Sequence, residues 1–199
     1  MPRLILASAS PRRAELLRNA GIAFEVDAAD LHEERLAGEK PLGYAQRLAL
    51  DKARTVLTRY PDAVVLGADT VVVVDEHLLE KPRDSEDAKR MLRLLSGRAH
   101  QVVTGVSLLS ASLERTEAEI TQVVFNPMSE QEIADYVVTG EPMDKAGAYG
   151  IQGMASRWVG RIEGDYFNVV GLPVARVYRM LKEYHDPPKG GPSRANVRS

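Results

Sequence analysis

Apolar positions along the chain recur at two different spacings. Residues 4–7 are a short apolar run that predicts a strand. Residues 11–20 carry apolar side chains three and four apart, a helix that Gly21 closes. A second short strand is predicted at 24–26 and a longer helix at 42–58. The stretch 63–74 is apolar and β-branched at nearly every position, which reads as one or two strands buried on both faces. A helix follows at 85–95, stopped near Gly97, and then two alternating segments, 101–109 and 117–125, that can pair antiparallel. Ser129 and Glu132 have capping-box spacing ahead of a helix at 130–138. A strand at 158–162 and an amphipathic helix at 173–184 complete the body. The mixture predicts an α/β fold with a mixed sheet, not a regular βαβ succession.

The pattern stops at residue 185. Residues 186–199 hold almost no core-forming side chains, and Lys189, Arg194 and Arg198 outnumber the single acid Asp186. Such a basic Pro/Gly tail cannot bury enough surface to offset its ordering entropy and is expected to be disordered. The expected organisation is therefore one domain over 1–185. With 199 residues, a core needs no disulfide or metal staple. Lys and Arg number 26 against 28 Asp and Glu, so no broad nucleic-acid binding is expected. An anionic ligand must then be met by a few placed cations. Cysteine is absent, which excludes thiol nucleophiles and Cys-type zinc sites. No apolar run approaches a membrane span and the apolar part of the N-terminal segment is too short for a signal peptide, so a cytoplasmic protein is expected. There is no P-loop, no dinucleotide fingerprint and no G-x-S-x-G elbow; His32-Glu33 lacks the second His of a zinc-protease helix.

The informative places are those where local rules conflict. Ser10 and Pro11 make a good helix start, yet Arg12 and Arg13 follow in a first turn whose dipole disfavours cations. Either an anion sits there, with Ser8 and the free backbone N–H groups, or the two arginines are solvated and paired with nearby acids. Lys52 falls on the stripe Ala45, Leu48, Ala49, Ala53, Val56 and must find a partner or snorkel out. Asp69 interrupts the apolar run 63–74, either as a buried carboxylate that is paired or metal-bound, or as the cap of a turn between two strands. Glu33, in an acid-rich stretch, and Lys81, before Pro82, are weaker signals. As a set, two carboxylates and four cations around a helix N-terminus suit a polyphosphate with an oxygen-loving cation such as Mg2+ or Mn2+. Hydrolysis at phosphorus is the chemistry that follows.

Three segments carry a resemblance: 4–13 (LILASASPRR), 67–71 (GADTV) and 140–153 (GEPMDKAGAYGIQG). They resemble the Maf family of nucleoside triphosphate pyrophosphatases. The last of them, with Gly164-Asp165-Tyr166 and Val170-Gly171-Leu172-Pro173, is similar to the branch acting on dTTP and UTP. The resemblance implies an elongated mixed sheet flanked by helices, with two lobes around a cleft, as in inosine triphosphate pyrophosphatases, and often a homodimer. It implies release of a nucleoside monophosphate and pyrophosphate, with a divalent cation (Mg2+, Mn2+ or Co2+) as cofactor. By position, Asp69 matches the proton acceptor. Arg12, Thr70 and Gln152 match specificity positions, and Ser8, Arg13, Glu33, Lys52 and Lys81 match other polar cleft residues. Glu80 departs from the family, where glycine is common. On this reading Glu33 and Asp69 hold the metal, Arg12, Arg13, Lys52 and Lys81 neutralise the triphosphate, and Thr70 and Gln152 read the base edge. Two rivals use the same residues. One is cleansing of purine or other modified triphosphates. The other is a nucleotide- or nucleic-acid-binding regulator of cell division without turnover, since the family is also linked with septum formation.

Overall fold

The computed structural model describes residues 3–31 and 33–186. All of the expected tail except Asp186 lies outside them. Seven strands form one mixed sheet among the described residues: β1 (Leu4–Leu6), β2 (Glu25–Val26), β3 (Val64–Val74), β4 (His77–Leu79), β5 (Ala99–Ser110), β6 (Leu113–Phe125) and β7 (Val159–Glu163). Their order is β2-β1-β3-β5-β6-β7, with β4 also on β3. β1 runs parallel to β2 and β3, and the other pairs are antiparallel. The helices are α1 (Pro11–Asn19), α2 (Pro41–Leu57), α3 (Ser85–Leu95), α4 (Glu130–Val138), α5 (Tyr166–Val170) and α6 (Val174–His185). Short 3-10 turns occupy Glu141–Asp144, Ala146–Ala148 and Met154–Trp158. No described helix is long and apolar enough to cross a membrane.

Local chemistry explains most of the boundaries. After α1 the Ile22 N–H bonds the Leu17 carbonyl and the Gly21 N–H that of Arg18, a Schellman stop with Gly21 at φ +69°. Asp84 caps α3 by accepting the Asp87 N–H at 2.8 Å. Ser129 and Glu132 complete the expected capping box on α4. Within the run, Val64–Val74 is one continuous strand, so the alternative of a corner at 67–70 is replaced by an unbroken ladder in which Asp69 lies opposite Gly105.

Two features of β3 create the site. Its side chains alternate between two cores. Val65 and Val71 face α2, while Leu66, Ala68 and Val72 join the larger core with α1, α3, α4 and α6. Along one edge, β1 pairs with 64–66 and β4 with 72–74, leaving the middle of the strand without a strand partner on that side. The second feature is close approach. A Cβ on Gly67 would lie 2.0 Å from the Ala49 carbonyl oxygen, and one on Gly105 would lie 2.2 Å from that of Ala45. Two glycines therefore let α2 rest directly on the sheet, bringing its lysine within reach of Asp69.

Candidate active site

A cavity of about 670 Å³ opens at the gap between β1 and β4. Residues 7–13 form one wall, Asp69 and Thr70 the floor, and the segment 141–153 the facing wall. Every residue singled out from the sequence lines it: Ser8, Arg12, Arg13, Glu33, Lys52, Asp69, Thr70, Lys81 and Gln152.

Lys52 is only 9% exposed and does not snorkel. Its ammonium lies 2.6 Å from Asp69 Oδ1 and 2.6 Å from Glu33 Oε1. The buried carboxylate of Asp69 is thereby paired, and two acids distant in sequence share one cation. Asp69 points to the α2 side, and Thr70, one residue on, points to the opposite side, as strand alternation requires.

Arg13 reaches inward. Its Nε donates to the Gly171 carbonyl at 2.8 Å, one terminal nitrogen donates to Ser8 Oγ at 2.9 Å and to the Ala68 carbonyl at 3.0 Å, and the other donates to Thr70 Oγ1 at 2.9 Å. Those four bonds use four of the five guanidinium N–H groups. Burial lowers its pKa from the usual value, and the Asp69 carboxylate opposes that shift. Arg13 thus ties α1 to the open edge of β3 and to the end of α5. Ser8 is buried and belongs to this tie. Thr70 also contacts Thr104 Oγ1 at 2.9 Å, and the Thr104 hydroxyl donates to the Asn168 carbonyl at 3.3 Å.

Arg12 faces the cavity. It donates to Asp144 Oδ2 at 3.0 Å, across the cleft. Asp144 also pairs with Lys145 at 2.7 Å. Burial pushes the Asp144 carboxyl up, but Lys145 and Arg12 outweigh it and hold the group below the usual carboxylate range. The Ser10 side chain makes no capping bond, so it does not cover the first-turn N–H groups of α1. Lys81 and Gln152 are exposed on the cavity lining. Glu80 accepts a short hydrogen bond from the buried Tyr44 hydroxyl, and its carbonyl accepts the Gly147 N–H at 3.1 Å. The backbone before Lys81 is therefore anchored at both neighbouring elements despite the missing glycine. Glu141, Asp144 and Lys145 were not singled out as site residues. The adjacent opposite charges at 144–145 inside a Gly-rich stretch were their available signal.

Oxygen ligands for a cation are limited. Among the described residues no group of three or more acidic or histidine side chains converges. Glu33 and Asp69 do converge, on the Lys52 ammonium. Two carboxylates with room for water and phosphate oxygens suit Mg2+ or Mn2+, which keep much of their hydration.

The chain has relatives of high identity over nearly its whole length. A dTTP/UTP pyrophosphatase of Koribacter versatilis is 63% identical over 90% of this chain and 93% of that protein. One of Symbiobacterium thermophilum is 54% identical over 94% of this chain and 96% of that protein. Among solved structures, a HAM1 protein from Coxiella burnetii aligns at TM-score 0.47 and 16% identity, over 92% of this chain and 100% of that one. Residues 3–184 match the family described as Maf-like protein, and the chain belongs to that family.

Proposed function

We propose that this chain hydrolyses dTTP and UTP between the α- and β-phosphates, releasing the nucleoside monophosphate and pyrophosphate. The observation that carries the reading is the Glu33–Lys52–Asp69 cluster on the floor of a cleft rimmed by Arg12, Lys81 and the N-terminus of α1. The activity named for the relatives supports the substrate class.

Each residue then has a task. Asp69 accepts a proton from the water that attacks the α-phosphorus, and the bond to the bridging oxygen breaks as pyrophosphate leaves. Lys52, already between the two carboxylates, is close enough to steady the charge that develops on the phosphate oxygens. Arg12 and Lys81 meet the β- and γ-phosphates, and the N–H groups of α1 add a fixed positive potential. Arg13, Ser8 and Thr70 hold that wall in place. Gln152 offers one donor and one acceptor to a pyrimidine imide edge. Glu33 and Asp69 would hold a divalent cation, which when bound makes water more acidic and neutralises phosphate charge.

The product pair tests the reaction: dTTP should give dTMP and pyrophosphate, and dTDP with phosphate would refute it. Asp69→Asn should lose turnover by roughly 10²–10⁴-fold, the usual worth of a general base, while the melting temperature shows a folded protein. Near-normal rates would remove Asp69 from that role.

A further inference from the structure

The turn that carries Gln152 is fastened at both ends to one pair of side chains. Tyr136 is fully buried at the end of α4. Its hydroxyl donates to Glu141 Oε1 at 2.8 Å and accepts the Gly150 N–H at 3.3 Å. The other carboxylate oxygen, Glu141 Oε2, accepts the Met154 N–H at 3.2 Å. A Cβ on Gly153 would lie 2.1 Å from Glu141 Oε1, so the backbone there lies directly on the carboxylate. The Gly153 N–H closes the turn on the Gly150 carbonyl at 3.0 Å. The base of Glu141 is itself held, since Lys145 Nζ donates to its carbonyl at 2.5 Å. Residues 150–154 are thus clamped at 150 and at 153–154, with Gln152 between the clamps on the cavity lining. Burial, with Glu141 beside it, pushes the Tyr136 pKa up against the Gly150 N–H, so the hydroxyl keeps the proton it donates.

We infer that Glu141 is a positioning residue for base recognition: its carboxylate fixes the 150–154 turn and, through it, the reach of the Gln152 amide. The inference rests on the reading that Gln152 meets the base. Only a group accepting at both oxygens serves the two donors that face it. An amide in its place sets a donor against either the Met154 N–H or the Tyr136 hydroxyl.

The test compares Gln152→Ala, Glu141→Gln and the double variant, with dTTP as substrate and inorganic tripolyphosphate as a competitor that has no base. Losing two neutral hydrogen bonds to the base should raise the dTTP KM about tenfold. Uniform binding of this kind leaves kcat within about twofold. The tripolyphosphate Ki should not move. Glu141→Gln should reproduce that pattern, and the double variant should be no worse than Gln152→Ala alone. Tyr136→Phe opens the Gly150 end of the clamp and frees one oxygen of Glu141 by removing a single oxygen; it takes the place of Glu141→Gln, with the same direction of change expected, if that variant fails to fold. If Gln152→Ala leaves the KM unchanged, the base-reading role fails and the inference with it. If Gln152→Ala raises the KM and the clamp variants do not, the inference alone is overturned. It is equally overturned if the clamp variants weaken tripolyphosphate as much as dTTP, or if the effects of Glu141→Gln and Gln152→Ala add.

Discussion

His100 shows how a single buried group can set a pH limit for the fold. It is 2% exposed, packs edge-on against Phe125 and Tyr149, and shares a 2.9 Å hydrogen bond between Nε2 and the Tyr149 hydroxyl. Burial pushes its pKa down to about 4. In the unfolded chain the same ring titrates near 6.5. Between these values the unfolded state takes up a proton that the native state refuses, so stability is complete above about pH 6.5 and is lost as pH falls toward 4. At pH 4.5 the loss from this group is about 2–3 kcal/mol relative to pH 7. Urea unfolding of the wild type and of His100→Gln at both pH values measures it, and the variant should show a smaller drop by that amount. Single residues were also the most legible part of the site. Asp69 stood out because a lone carboxylate in an apolar run demands a partner, and Lys52 because it sits on a helix stripe of alanines and leucines. The continuous strand puts Asp69 and Thr70 on opposite sides, which is why their partners differ. Asp144 carries only the weaker signal of an adjacent opposite charge, and its bond to Arg12 joins residues 132 positions apart.

Elements were legible where their periodicity is long. The helices α3 and α4 match their predicted bounds, and the antiparallel pair β5–β6 is present but longer than its pattern. Missed elements are short: β4 has three residues and α5 has five, too few for a period to declare itself. The 3-10 turns of 141–158 also follow no helical repeat, because glycines and local side-chain bonds shape them. The contact between α2 and the sheet is an element-scale property that neither partner's pattern announces alone. Gly67→Ala tests it. The new methyl would sit 2.0 Å from a helix carbonyl, which cannot swing away as a flexible side chain can. Either α2 lifts or β3 bends, at a cost of about 1–3 kcal/mol. The melting temperature should fall, and turnover should fall further than the stability loss explains, because Lys52 is carried away from Asp69. A variant as stable and as active as the wild type would show that this close packing does not place the lysine.

At the scale of the molecule, the Arg12–Asp144 ion pair spans the cleft between its two walls. Arg12 and Asp144 retain 27% and 60% of their side-chain exposure, so the pair contributes only a few tenths to about 1 kcal/mol. That is enough for the Asp144 carboxylate to compete with an incoming phosphate for Arg12. Asp144→Asn should therefore bind inorganic pyrophosphate about two- to fivefold more tightly at low salt, with the difference shrinking as ionic strength rises. Inhibition constants at two salt concentrations check this, and weaker binding by the variant would make Asp144 a contributor to the phosphate site instead of a competitor.

The uninterrupted length of β3 has a mechanical consequence. β1 and α1 hang from one end of it, β4 and the facing wall from the other, and β5 runs beside it past the gap. Both walls attach to this one strand and share one hydrophobic core, so neither is a separate body joined to the other by a linker. The paired strands set the floor of the cleft, and the segment 141–153 is anchored to α4 by the side-chain bonds of Tyr136 and Glu141. Adaptation to different ligands is then a matter of loop and side-chain adjustment over a floor that this strand fixes.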